Sequence, residues 1–122
     1  MVSLIEKRKN ILKIFYKNNN NVLIYITELE KLMKIEKFSL YELNNGNFDV
    51  LVEAIKSFIN YNFESSNDYC KVVDYIISQC NYKTLNYTIS GETGYIVPLF
   101  LAIYKGQFKI ADLLISKASF LL

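Results

Sequence analysis

The sequence predicts an all-α protein, an α-solenoid of stacked helical hairpins behind an N-terminal helical cap. Three observations carry that expectation. Apolar residues recur at steps of three and four along most of the chain. Gly and Pro together number only five and fall at the edges of the periodic stretches. A pattern of one short and one longer apolar-striped segment occurs twice. With 122 residues, 52% hydrophobic and 21% charged, the chain has the composition of an ordered globular protein and the length to bury one core.

The elements follow in order. Ser3 and Glu6 have the spacing of a capping box, and Leu4, Ile5, Ile11, Leu12 and Phe15 continue it as a helix to about Lys17. The Asn run from Asn18 to Asn21 ends that helix. A second helix is expected over Val22 to Lys34, with Val22, Ile26, Leu29, Leu32 and Met33 on one stripe, and the two make the cap, residues 1–46. Ser39 and Glu42 repeat the capping-box spacing, but Gly46 follows closely, so one helical turn is expected. Phe48, Leu51, Val52, Ile55 and Ile59 mark a third helix with Asn47 as its cap. After the polar stretch from Asn60 to Asn67, Asp68 is the expected cap of a fourth helix carrying Tyr69, Val72, Val73, Ile76, Ile77 and Cys80, with Asn81 as a left-handed stop. The stretch Asn81 to Ile96, with Gly91 and Gly94, reads as a long connection able to form a loose hairpin. Pro98 suits the first turn of a fifth helix that reaches Tyr104 and ends at Gly106, and a sixth runs from about Phe108 to Lys117.

Composition also excludes classes of function. The chain has no His, which removes the commonest general base, triad member and zinc ligand, so no enzyme, cofactor or metal site is expected. Glu53, inside an apolar helix, is the nearest candidate for catalytic acid–base work, and a solvated helix edge explains it more simply. Ser90 to Gly94 has glycines but no following Gly-Lys-Ser/Thr, so it reads as a turn and not a phosphate loop. The net charge is +2, with eight Lys/Arg against four Glu in residues 1–40 and six against eight acids thereafter, too mild an asymmetry for a nucleic-acid partner. Cys70 and Cys80 sit ten positions apart in one helical stretch, too far apart to pair, and free thiols fit a reducing, cytoplasmic setting. Met1 to Ile5 runs straight into Glu6, Lys7, Arg8 and Lys9 with no leader-like apolar region, and the longest apolar run, Tyr95 to Tyr104, is ten residues broken by Pro98, so no membrane span is expected.

The repeat is specific. Asp49 to Lys56 (DVLVEAIK) aligns with Val97 to Tyr104 (VPLFLAIY) at an offset of 48. Val73, Asp74, Ile76, Ile77 and Ser78 align with Ala111, Asp112, Leu114, Ile115 and Ser116 at an offset of 38. A ten-residue insertion between Phe58 and Asp68 accounts for the difference. Two such units, about 47–81 and 94–119, are joined by a long loop. The later unit resembles the ankyrin repeat: Gly94 to Ile103 is similar to the family's Gly-x-Thr-Pro-Leu-His-x-Ala-Ala, and Gly106 to Ser119 to its Gly-His-x-x-Val-Val-x-Leu-Leu-Leu-x-x-Gly-Ala. Ile96 is one residue extra, and Val97 and Phe100 replace the Thr and His that hold the turn in that family, which marks a degenerate repeat.

That resemblance implies a non-catalytic scaffold that binds another protein through loop tips and exposed positions of the inner helix. Carried over residue by residue, those positions are Glu92, Thr93, Tyr95, Tyr104 and Lys105, and more weakly Lys56 and Ser57. Ten tyrosines supply contact area of the kind recognition surfaces use, while Tyr69 and Tyr75 are expected to pack. The alternatives kept open are an N-terminal capping fragment of a longer array and a small helical enzyme or regulator. The apolar ending Phe120, Leu121, Leu122 predicts further repeats, a truncated product, or self-association through that end.

Overall fold

The computed structural model describes residues 2–18, 20–91 and 94–121, the side chains of 119–121 excepted. It is mostly helical. Helix α1 spans Leu4–Lys17, α2 Ile24–Glu36, α3 Val50–Ser57, α4 Ser66–Cys80, α5 Pro98–Tyr104 and α6 Phe108–Leu121, with a 3-10 turn at Leu40–Leu43 and two short strands, β1 Ile89–Gly91 and β2 Gly94–Ile96.

Local chemistry sets most of these boundaries. Ser3 Oγ accepts from Glu6 N at 3.1 Å and starts α1. At its other end, Asn18 Nδ2 donates to Ile14 O at 2.9 Å, so the Asn run closes the helix with its own side chain. Ser39 N donates to the Glu42 carboxylate, the capping-box contact its spacing predicts, and the result is a single 3-10 turn. Asn81 ends α4 with φ 52 in the left-handed region, as expected of Asn. Lys37 ends α2 in the same conformation, φ 55, which its residue type does not announce.

Several boundaries differ from the expectations. The cap of α3 is Asp49 and not Asn47: Asp49 Oδ1 accepts from Val52 N at 2.9 Å. The Asn47 and Phe48 amides instead turn onto Asn45 Oδ1, both at 2.7 Å, which holds them outside the helix. Asn44 Oδ1 accepts from Val50 N at 2.8 Å and satisfies a second free amide of that terminus. Helix α3 stops at Ser57, so Ile59 is not on its buried stripe and is 65% exposed. Helix α4 starts at Ser66, before Asp68, because Ser65 N donates to Asn62 Oδ1 at 2.9 Å and Ser66 Oγ to Phe63 O at 2.7 Å, turning the chain early. Asp68 lies in the first turn, where a carboxylate favours the helix dipole. Helix α2 sits two residues later than Val22 to Lys34, and α6 continues past Lys117.

Helix α1 packs on α2 and α3, α2 also on α4, α3 on α4 and α5, and α6 on both α4 and α5. The 3-10 turn fills the space against α1, α3 and α4. Leu29, Leu40, Leu43, Leu51, Ile55, Ile76 and Ile110 are fully enclosed. A string of rings runs through this core. Phe15 stacks on Tyr25 at 5.1 Å, Tyr25 lies 5.9 Å from Phe58, and Phe58 meets the edge of Tyr69 at 4.8 Å. The string joins α1, α2, the end of α3 and α4, and such ring pairs stabilise beyond their area burial.

Candidate functional site

Within the stretch from Asn81 to Ile96, only the end forms a short strand pair, and residues 81–88 are an irregular connection. Strands β1 and β2 pair antiparallel, with Ser90 opposite Tyr95 and Gly91 opposite Gly94. Gly94 has φ 137, a conformation that excludes side chains, and a Cβ on Gly91 would meet Ile96 Cδ1 at 2.9 Å. Ser90 N donates to Gly46 O at 2.9 Å, which ties the hairpin to the loop ahead of α3. Tyr95 stands out from it, 80% exposed. Glu92 and Thr93, expected at the same tip, lie outside the described residues.

The remaining expected contact residues divide between surface and interior. Tyr104, at the end of α5, is 89% exposed. Lys56 is half-exposed, with Nζ 3.7 Å from Glu53 Oε1. Lys105 turns inward and donates from Nζ to Lys56 O at 2.7 Å; burial, then the neighbouring Lys56 charge, holds its ammonium below the ordinary lysine range. Ser57 corrects the expectation, because it is fully buried and out of reach of a partner. Its Oγ donates to Ala54 O at 2.7 Å and lies 3.1 Å from the Tyr25 hydroxyl, which in turn donates to Phe15 O. A small hydroxyl at the end of a short helix can satisfy itself on the preceding turn, and that lets it enter the core.

Gln107 completes the joint. Its Nε2 donates to Ile55 O at 3.3 Å and Phe58 O at 3.2 Å, so residues 105 and 107, between α5 and α6, cap the free carbonyls at the end of α3. Three further apolar side chains near these helices are exposed: Phe100 by 65%, Ile103 by 46% and Phe108 by 64%. Beside them the insertion loop presents Phe63, 86% exposed, across a cleft of about 390 Å³ that Tyr61, Phe108 and Asp112 also line. Tyr61 OH accepts from Lys109 N at 3.1 Å and holds that loop against α6.

A polar cluster underlies the hairpin. Asp49, buried, accepts at Oδ1 from Tyr87 OH and at Oδ2 from Tyr82 OH, both at 2.9 Å, besides its cap bond to Val52 N. The two tyrosine rings stack at 5.2 Å, and Asn44 Nδ2 donates to Tyr82 OH at 3.3 Å. Burial raises the Asp49 carboxyl above its ordinary value against the pull of these donors, and it raises both phenols as well. Cys80, beside them, is pushed up to about 12 by burial and stays a neutral thiol at neutral pH. The two phenols and the Cys80 thiol thus keep their protons at neutral pH, and Asp49, which accepts from both phenols, is buried. Its work is positional: it pins residues 82 and 87 of the connection to the start of α3 and so fixes the hairpin that carries Tyr95. Asp49, Tyr82, Tyr87 and Gln107 are not among the residues the sequence singles out for a role. Asp49 carried a readable signal, since Asp just before an apolar helical run is a standard cap; the tyrosines and Gln107 act over more than 30 residues and carried none.

Among the described residues no group of three or more His, Cys, Asp and Glu side chains gathers as a metal site, and no helix is long and apolar enough to cross a membrane. Compared with protein-family models, with curated proteins and with solved structures, the chain finds no match.

Proposed function

We propose that this chain is a non-catalytic, cytoplasmic protein-binding scaffold, a short ankyrin-like α-solenoid in which the pairs α1/α2, α3/α4 and α5/α6 stack in a row. Supporting the stacking, α3 lies between α1 and α5, and α4 touches both α2 and α6. The aligned stretches starting at Asp49 and Val97 are both helical and packed side by side. Supporting the cytoplasmic setting, both cysteines are free thiols.

The observation that carries the binding role is the exposure of Tyr95 at 80% and Tyr104 at 89% on elements fixed from beneath by part-buried and buried hydrogen bonds. Tyrosine presents a broad apolar face and a polar tip while losing little rotamer freedom, so a rigidly mounted, exposed pair suits a recognition surface. Lys56 is half-exposed and adds a positive charge, whereas Lys105 serves the joint beneath.

The test is capture from the source cell followed by reconstitution with the captured protein. Tyr95→Ala and Tyr104→Ala are each expected to weaken that complex by about 2 kcal/mol, roughly thirtyfold, with helical content unchanged. A complex equally tight with both tyrosines truncated overturns the proposal. Turnover of a small molecule lost in Glu53→Gln would instead favour an enzyme.

A further inference from the structure

The two repeated units differ at one face. Val52 and Ile55 of α3 are buried at 1% and 0%, yet Phe100 and Ile103, which occupy the same positions one unit later, are 65% and 46% exposed. The outer helices agree, since Ile77 is half-buried while its counterpart Ile115 is 51% exposed. Helices α5 and α6 pack on α3 and α4 in the earlier unit; the corresponding face of α5/α6 has no such cover among the described residues. It contains a groove of about 310 Å³ walled by Leu99, Phe100, Leu114 and Ile115 on the helices and by Thr84 and Asn86 of the connection, with no ionisable side chain in its lining.

We infer that this face pairs with the same face of a second copy, giving a two-fold symmetric dimer in which each α5/α6 pair serves as the other's next helical pair. What covers the equivalent face within the chain is a helical pair with apolar side chains, so a surface of that kind is the fitting occupant. Charge selects which one. The groove between α1 and α2, at the far end of the row, is lined by Glu28 and Lys31 beside Ile14, Leu32 and Ile35, so a head-to-tail contact would strip water from two charges. Like-to-like pairing buries none from the groove lining and closes on itself, as most homodimers do. The inference uses the equivalence of the two units and not the Tyr95/Tyr104 surface, so its failure would leave the partner proposal standing.

Sedimentation of the whole 122-residue chain across a concentration series tests it. The expected result is a monomer–dimer equilibrium reaching twice the chain mass. Phe100→Lys and Ile115→Lys, both at exposed positions, should shift it to monomer with unchanged helical circular dichroism, while Ile35→Lys at the far end should leave it intact. As a second readout that needs no variant, amides of residues 97–118 should gain hydrogen-exchange protection as concentration rises. A wild-type chain monomeric up to its solubility limit overturns the inference and leaves the face to another helical pair. Dimers that survive both substitutions, or open-ended assemblies that grow with concentration, overturn it too.

Discussion

Asp49 shows how much one side chain can settle. Its carboxylate caps α3 and accepts from two tyrosine hydroxyls that belong to the connection 33 and 38 residues onward. Replacing it with Ala removes a cap worth about 1 kcal/mol and leaves two half-buried hydroxyls without their acceptor, so Asp49→Ala is expected to cost about 2–3 kcal/mol in urea denaturation. Asp49→Asn keeps the cap and should cost far less, with Tyr82 turning its hydroxyl to accept from the new amide. The two proteins then differ in acid. The Asp49 carboxyl is raised in the folded chain, mainly by burial, so between its unfolded and folded values the folded state holds a proton the unfolded chain has released. Stability contributed at this site therefore falls as pH rises through that window and is flat beyond it; in Asp49→Asn the slope should vanish, which denaturation midpoints over the acid range would reveal. The thiols make a separate prediction. With Cys80 near 12 and Cys70 raised as well, both chiefly by burial, thiol reagents should label the native protein slowly at neutral pH and the unfolded protein fast. Rapid native labelling would contradict the enclosure of Cys80.

Elements were legible where short-range chemistry alone decides them. The capping residues at Ser3 and Ser39, the Asn81 stop, the Pro98 start and the Gly106 end each act through a local bond or a local backbone preference, and each stands where the sequence places it. Legibility failed where several nearby polar side chains compete for one helix start. Asn45 Oδ1 takes the Asn47 and Phe48 amides and leaves the α3 cap to Asp49, and the Asn62–Ser65 turn starts α4 ahead of Asp68. Of the expected contact residues, Tyr95 and Tyr104 are at the surface, while Ser57 is tied to Tyr25, 32 residues back, and Lys105 to Lys56, 49 residues back, links that leave no local trace. Lys37 is the instructive case, because a left-handed stop is normally read from Gly or Asn and this one is built from Lys. Lys37 is exposed, so Lys37→Gly removes the Cβ strain at little cost in packing and should raise stability by about 1 kcal/mol in urea denaturation. Gln107→Ala should lower it by only about 1–2 kcal/mol, because the two carbonyls it caps are offset by its own buried Oε1, which finds no hydrogen-bond partner among the described residues.

At the scale of the whole molecule, the contacts grade from a doubly covered middle to singly covered ends. Helices α3 and α4 touch elements on both sides, whereas α5 and α6 rest on α3 and α4 from one side and turn the exposed Phe100, Ile103 and Ile115 outward. In a protein held by contacts between neighbouring pairs, opening free energy follows that cover, so slowest hydrogen exchange belongs in α3 and α4 and faster exchange in α5 and α6 of the monomer. Two truncations separate the regions. Leu51 is fully enclosed in α3, so Leu51→Ala should cost about 2–5 kcal/mol and speed exchange in every helix, because losing the middle releases both neighbours. Leu99 is half-buried in α5 against the core, so Leu99→Ala should cost less and speed exchange in α5 and α6 while α1 and α2 keep their protection. Uniform acceleration in both variants would mean that the chain opens only as one unit, and the graded picture of helical pairs leaning on their neighbours would have to be abandoned.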